Sequence, residues 1–115
     1  PLTPVAVSGM QISFSGPESH VKRWLEKQPD PAAVAASTQH CIAESLRIAL
    51  ANAIDLTGIK RVLLVGGVAA NQYIRSHIRS GLQQARQAEV NWPAAEFSGD
   101  NAAGAAWWAL RQRTV

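Results

Sequence analysis

Two glycines, an asparagine and an aspartate are the residues of this 115-residue chain whose types and placement could do chemistry. Gly66 and Gly67 end an apolar run, Arg61-Val62-Leu63-Leu64-Val65, and Val68-Ala69-Ala70-Asn71 leads on into a helical pattern. Glycine has no Cβ, so a ligand can approach the backbone there. The first N–H groups of the following helix point outward with the positive end of its dipole. Such a junction suits an anion or a nucleotide. Plain α/β packing uses the same strand–glycine–helix unit, and the stretch alone fits either reading.

Asp100, in Phe97-Ser98-Gly99-Asp100-Asn101, stands at the start of a last helical pattern. As an N-cap it is stabilised by the free N–H groups and the dipole, and that explains it fully. As a carboxylate at a helix start beside a Gly-Gly turn it is also placed to hold a metal. Both readings stay open. Ser13, Ser15 and Gly16 precede Pro17. Their hydroxyls could touch phosphate or ribose, but the spacing favours capping, with Ser15 as N-cap and Glu18 as its reciprocal partner.

The elements that must position these residues follow from periodicity. Val5-Ala6-Val7 and Met10 to Phe14 flank Ser8-Gly9, a tight turn between two strands. A short helix follows, with Val21, Trp24 and Leu25 on its apolar side, and Gln28-Pro29-Asp30-Pro31 breaks it. Asp30-Pro31 is a cap and first-turn pair opening an Ala-rich helix to about Leu56, closed by Thr57-Gly58. Val34, Thr38, Ile42, Leu46, Ala49 or Leu50, and Ala53 predict its buried face. In the helix after the glycine turn, Ala70, Ile74, Ile78 and Leu82 recur every fourth residue, with Arg75, Arg79, Gln83 and Arg86 on the neighbouring face. Glu89 to Trp92 reads as a short strand ended by Pro93, and Ala102 to Leu110 as a last helix with Ser98 or Asp100 near its cap. Helices alternate with strands in the second half, so the class is α/β.

Composition narrows the function. A hydrophobic share of 47% against 17% charged residues fits one globular domain over residues 1–115 and argues against disorder. No apolar run approaches the roughly 20 residues of a membrane span, and no signal-peptide pattern opens the chain. Pro1 begins it and Met10 is the only methionine, so a piece of a longer chain is expected. Cys41 is the single cysteine, which excludes an internal disulfide and a cysteine-based zinc site, and its Ala-rich surroundings predict a buried small hydrophobe. His20, His40 and His77 form no i, i+4 pair, so neither a histidine metal site nor a Ser-His-Asp triad is expected. A net charge of +3 gives a polyanionic partner a modest edge, with Lys22, Arg23, Lys27, Arg75, Arg79 and Arg86 on helices.

Three separated motifs, Ser13-Phe14-Ser15-Gly16, Gly66 to Asn71, and Phe97 to Ala103, occur in an order and spacing that resemble one family. It is the universal tRNA threonylcarbamoyladenosine synthesis family, which has also carried the name O-sialoglycoprotein endopeptidase, or glycoprotease. The resemblance runs from about Met10 to Ala109 and is to the family's C-terminal part. It implies the C-terminal lobe of an actin-like, Hsp70 and sugar-kinase (ribonuclease H-like) fold, with the N-terminal lobe outside this chain. It implies transfer of threonylcarbamoyl from threonylcarbamoyl-AMP to N6 of the adenosine following the anticodon.

By the same resemblance, Asn71, Gly66 and Gly67 would line the adenine nucleotide, and Ser13, Ser15 and Gly16 would lie near it. Asp100 would be the one carboxylate ligand of a divalent ion (iron, zinc or magnesium), whose two histidine ligands belong to an H-x-x-x-H helix of the absent lobe. The implied partners are tRNA, a smaller paralogue of the same fold and an ATPase subunit, in the cytoplasm. Two departures stand out. Pro17-Glu18-Ser19 replaces Leu-Lys-Thr, usual in bacterial members, and Ser98-Gly99 replaces Cys-Thr. The isolated piece is expected to be inactive, and no nucleophile–base pair or zinc helix supports a peptidase. A non-catalytic nucleotide- or partner-binding paralogue is the alternative, and an actin-like lobe of another phosphotransferase a third reading.

Overall fold

A computed structural model describes residues 7–27, 30–67, 70–93 and 102–113. Strands β1 (Val7–Ser8) and β2 (Gln11–Ile12) precede helices α1 (Ser15–Glu26) and α2 (Pro31–Thr57). Strand β3 (Arg61–Leu63), helix α3 (Gln72–Arg86), strand β4 (Glu89–Asn91) and helix α4 (Ala102–Arg113) follow. The class is α/β, as the alternation predicts. β3 and β4 pair in parallel, Val62 opposite Val90, and α3 makes the crossover between them. β1 and β2 form a separate antiparallel hairpin, Val7 opposite Ile12. Its turn falls one residue later than expected, because Gly9 supplies the positive φ of 62° while Ser8 stays in the strand.

α2 is set by its ends. The Asp30 carboxylate accepts from the Ala32 N–H at 3.0 Å, and Pro31 occupies the first turn, where no N–H is needed. Gly58 stops the helix at a φ of 72°. The buried face differs from the predicted one: Val34, Ser37, Cys41, Ser45 and Ala49 are buried, whereas Thr38, Ile42 and Leu46 are half-covered. α2 packs against α1 and the hairpin as well as against α3, so small residues take the tightest contacts and the larger ones flank them. Ser45 lies fully inside, and its hydroxyl is satisfied by donating to the Cys41 carbonyl at 2.6 Å. Cys41 is 2% exposed, a packing residue.

The core sits where α2 and α3 cover the parallel pair. Ile74, Ile78 and Leu82 of α3 meet Ala43, Ala51 and Ile54 of α2 and Val90 of β4. The four-residue rhythm of α3 is thus realised from Ile74 onward, while Ala70 stays exposed ahead of the helix. At its other end Gln87 takes the left-handed conformation, φ 54°, and its N–H donates to the Gln83 carbonyl at 3.0 Å. No helix is long and apolar enough to cross a membrane among the described residues.

Candidate functional site

The strand-to-helix junction is built by three local constraints. After β3, the Leu64 N–H still donates to the Asn91 carbonyl at 2.9 Å, so the parallel ladder runs one bond further than the strand. Gly66 then turns the chain at a φ of 105°, a conformation that side chains rarely adopt. Gly67 has an ordinary φ, and a Cβ on either glycine would meet nothing within 4 Å. Gly66 is therefore required by the backbone, whereas Gly67 leaves room on its outer side. The Ala70 N–H donates to the Gly67 carbonyl at 3.1 Å and closes the loop onto α3.

Asn71 caps α3. Its Oδ1 accepts from the Ile74 N–H at 3.1 Å and from Gln39 Nε2 of α2 at 2.8 Å. The oxygen is held from two sides, which fixes the carboxamide plane and leaves Nδ2 as its donor. The N–H groups of Gln72 and Tyr73 have no acceptor among the described residues, as expected of a first helical turn. Three donors thus gather at the positive end of a 15-residue helix beside a glycine turn, an arrangement that favours an anion.

Ser13, Ser15 and Gly16 form a second group at the start of α1. Ser15 is not the N-cap: the helix begins one residue earlier, with Phe14 as cap at φ −100°, ψ 6° and no side-chain cap bond. The Ser15 hydroxyl pairs instead with that of Ser13 at 3.0 Å, and Glu18 forms an ion pair with Lys22 at 3.1 Å. No described hydrogen bond or shared cavity joins this group to Gly66, Gly67 and Asn71. Asp100, like Ser98, Gly99, Val68 and Ala69, lies outside the described residues. Among the described residues no three histidine, cysteine or acidic side chains are grouped to hold a metal, so these residues do not make a metal site by themselves.

The sequence reading missed a polar cluster between α2 and α3. His40 Nδ1 meets the Tyr73 hydroxyl at 2.8 Å, and His77 Nε2 meets Glu44 Oε2 at 2.6 Å. The two imidazole rings lie 5.2 Å apart, and Tyr73 stacks on His77 with the rings 12° from parallel. Arg47 also grips Glu44, donating through Nε at 2.9 Å and through Nη2. The Arg47 hydrogen bonds, with help from His77 and against the cost of burial, hold the Glu44 carboxyl down at about 2. Glu44 in turn raises the Arg47 guanidinium. The signal was available as two i, i+4 pairs, His40 with Glu44 and Tyr73 with His77, one on each helix.

Two of the helical cations expected to meet a polyanion are already engaged. Arg86 holds Asp55 through two bonds, at 2.7 and 2.9 Å, and Lys22 holds Glu18.

A strand, a glycine turn, an asparagine-capped helix and a parallel return strand define an α/β protein with a strand-to-helix junction open to a ligand. The family model described as tRNA N6-adenosine threonylcarbamoyltransferase (TsaD) matches residues 2–107. A protein of that name from Legionella pneumophila subsp. pneumophila (strain Philadelphia 1) is 34% identical over 103 residues, 86% of this chain and 31% of the relative. One from Neorickettsia sennetsu is 30% identical over 117 residues, 97% of this chain and 35% of the relative. The chain belongs to the tRNA N6-adenosine threonylcarbamoyltransferase family. It spans about a third of the length of the curated relatives it matches.

Proposed function

We propose that this chain is the C-terminal lobe of a longer, two-lobed actin-like protein that transfers threonylcarbamoyl from threonylcarbamoyl-AMP to N6 of the adenosine following the anticodon. Family membership over residues 2–107 supports the reaction, and the share of about a third of the relatives' length supports a second lobe that completes the site. The observation that carries the nucleotide assignment is Asn71, whose twice-held Oδ1 presents Nδ2 at the positive end of α3 next to the glycine turn.

The chemistry explains why such donors are useful. The N6 amine attacks the carbamoyl carbon, a C–N bond forms, and the C–O bond to the phosphate breaks. AMP leaves with the electron pair, and the amine gives up one proton. Negative charge builds on the departing adenylate phosphate. Preorganised N–H donors facing it lower the barrier without reorganising. Asn71 Nδ2 and the N–H groups of Gln72 and Tyr73 fill that role, and Gly66 and Gly67 let the nucleotide approach. Ser13, Ser15 and Gly16 would lie near the same nucleotide. A divalent ion (iron, zinc or magnesium) would polarise the carbamoyl group when bound. Asp100 would supply one carboxylate to it, the other ligands coming from the second lobe. The setting proposed is the cytoplasm, with tRNA, a smaller paralogue of the fold and an ATPase subunit as partners.

One observation favours a second reading, a non-catalytic relative that binds nucleotide or a partner protein. Glu18 puts a carboxylate in the first turn of α1, where it disfavours phosphate near Ser13, Ser15 and Gly16. Metal analysis of the full-length protein beside Asp100→Asn separates the two. Stoichiometric metal that disappears in the variant, with helicity unchanged, is the expected result. Metal absent from both proteins would reject the transferase and leave the non-catalytic relative.

A further inference from the structure

Trp92 follows β4 and is half-buried, packed against the core formed by α2, α3 and the parallel strands. Two arginines of α3 lie over its ring. The Arg79 guanidinium carbon lies 4.0 Å from the ring centroid and that of Arg75 lies 4.8 Å from it. Arg79 is exposed, and its Nη2 donates to the Val90 carbonyl at 3.1 Å. One guanidinium is thus fixed in place by a stack and a hydrogen bond, with most of its five donors left over. No carboxylate pairs with Arg79 among the described residues; the nearby Glu89 is engaged by Arg61 at 3.5 Å and by Asn91 at 3.1 Å. A groove of about 600 Å³ opens beside it, lined by Arg79, Gln83, Gln87 and Asn91 together with Glu89, whose carboxylate is the one held by Arg61 and Asn91.

Asn71, Arg75, Arg79 and Gln83 recur every fourth residue, so they run as one line along α3 from its capped end. At 1.5 Å per residue the line is about 18 Å long. It joins the nucleotide-binding end of the helix to the arginine–tryptophan stack. A guanidinium held in place on an exposed residue offers a surface on which an unstacked base can lie, and its remaining N–H groups can donate to phosphate.

We infer that Arg79, held on Trp92, is a positioning residue for RNA: it receives single-stranded nucleotides flanking the adenosine that attacks the carbamoyl-adenylate bound at Asn71. This rests on the tRNA reading above and adds the surface that would orient the substrate. Arg75 strengthens the local positive potential, and the groove beyond Arg79 takes the continuing backbone.

The test uses the full-length protein and an unmodified tRNA transcript, with dissociation constants measured over a series of salt concentrations. Arg79→Ala should weaken binding about fivefold or more and reduce the slope of log K against log salt by about 0.7, the loss of one single-strand phosphate contact. Arg79→Lys should keep the slope and lose part of the affinity, because the charge stays and the planar stack goes. ADP affinity and thermal midpoint should stay at wild-type values in Arg79→Lys, which serves if the alanine variant is unstable. Wild-type binding of tRNA with both variants unchanged would overturn this inference and leave the transferase reading standing. Failure of the wild-type protein to bind tRNA at all would overturn both. Loss of an acidic protein partner in the variants, with tRNA binding intact, would also overturn it.

Discussion

Asn71→Asp keeps the oxygen that receives the Ile74 N–H and the Gln39 amide, and removes only the N–H₂ group. Asn71→Ala removes both. The difference separates capping from ligand binding. Aspartate caps as well as asparagine and adds a charge that the helix N-terminus favours, so Asn71→Asp should hold stability to within about 0.5 kcal/mol of wild type. Asn71→Ala loses the cap and should cost about 1 kcal/mol. A hydrogen bond to a charged group contributes about 1.5–3 kcal/mol, so loss of the Nδ2 donor to the adenylate should weaken nucleotide binding by about ten- to a hundredfold. In Asn71→Asp the new carboxylate repels the phosphate and pushes toward the upper end. Calorimetric titration of ADP into the full-length protein, with thermal unfolding of the same samples, reads both quantities. Wild-type ADP affinity in Asn71→Asp would refute the assignment and reduce Asn71 to a helix cap.

The Glu44 cluster and the end of α3 yield two further predictions. The Glu44 carboxyl lies at about 2 in the fold against an ordinary 4.5, mainly through the Arg47 hydrogen bonds. A depressed carboxylate stabilises the fold fully above about 4.5 and loses that contribution as pH falls toward 2. The shift sets a ceiling of about 3 kcal/mol, and partial exposure of the pair reduces it to about 1–2 kcal/mol. Glu44→Gln should therefore cost about that much at pH 7 and flatten the acid limb of the stability curve; a parallel, unflattened limb in urea melts would contradict this. Gln87 sits in the left-handed region at φ 54°, where glycine is at ease. Gln87→Gly should raise stability by about 0.5–1 kcal/mol, and a lower thermal midpoint would count against the cap geometry.

How much the sequence could reveal depended on whether a signal was local. Asp30, Pro31 and Gly58 set both ends of α2 through their own backbone preferences, and all three act where they were read. The stripe Ile74, Ile78 and Leu82 is buried because α3 offers one clear apolar face. α2 has no such contrast: it is rich in alanine and touched on several sides, so its most buried residues include Ser37 and Ser45. Ser15 does not cap α1, because Phe14 in a bridge conformation starts the helix without any side-chain cap, and the hydroxyls of Ser13 and Ser15 bond each other. The i, i+4 pairs His40 with Glu44 and Tyr73 with His77 mark a polar stripe on each helix, but that the two stripes face each other across 37 positions of chain shows only once α2 and α3 are packed. At the junction, Gly66, Gly67 and Asn71 were legible as a unit, but the second use of Asn71 Oδ1 by Gln39 appears only once α2 and α3 are packed.

The most direct test supplies the full-length protein with threonylcarbamoyl-AMP and an unmodified tRNA, then digests the tRNA and measures N6-threonylcarbamoyladenosine by mass spectrometry. Wild-type protein should form the modified nucleoside at the adenosine following the anticodon, and Asn71→Asp should form about ten times less or lower. Absence of product from a wild-type protein that still binds ADP and tRNA would contradict the transferase account and establish a non-catalytic member of the family.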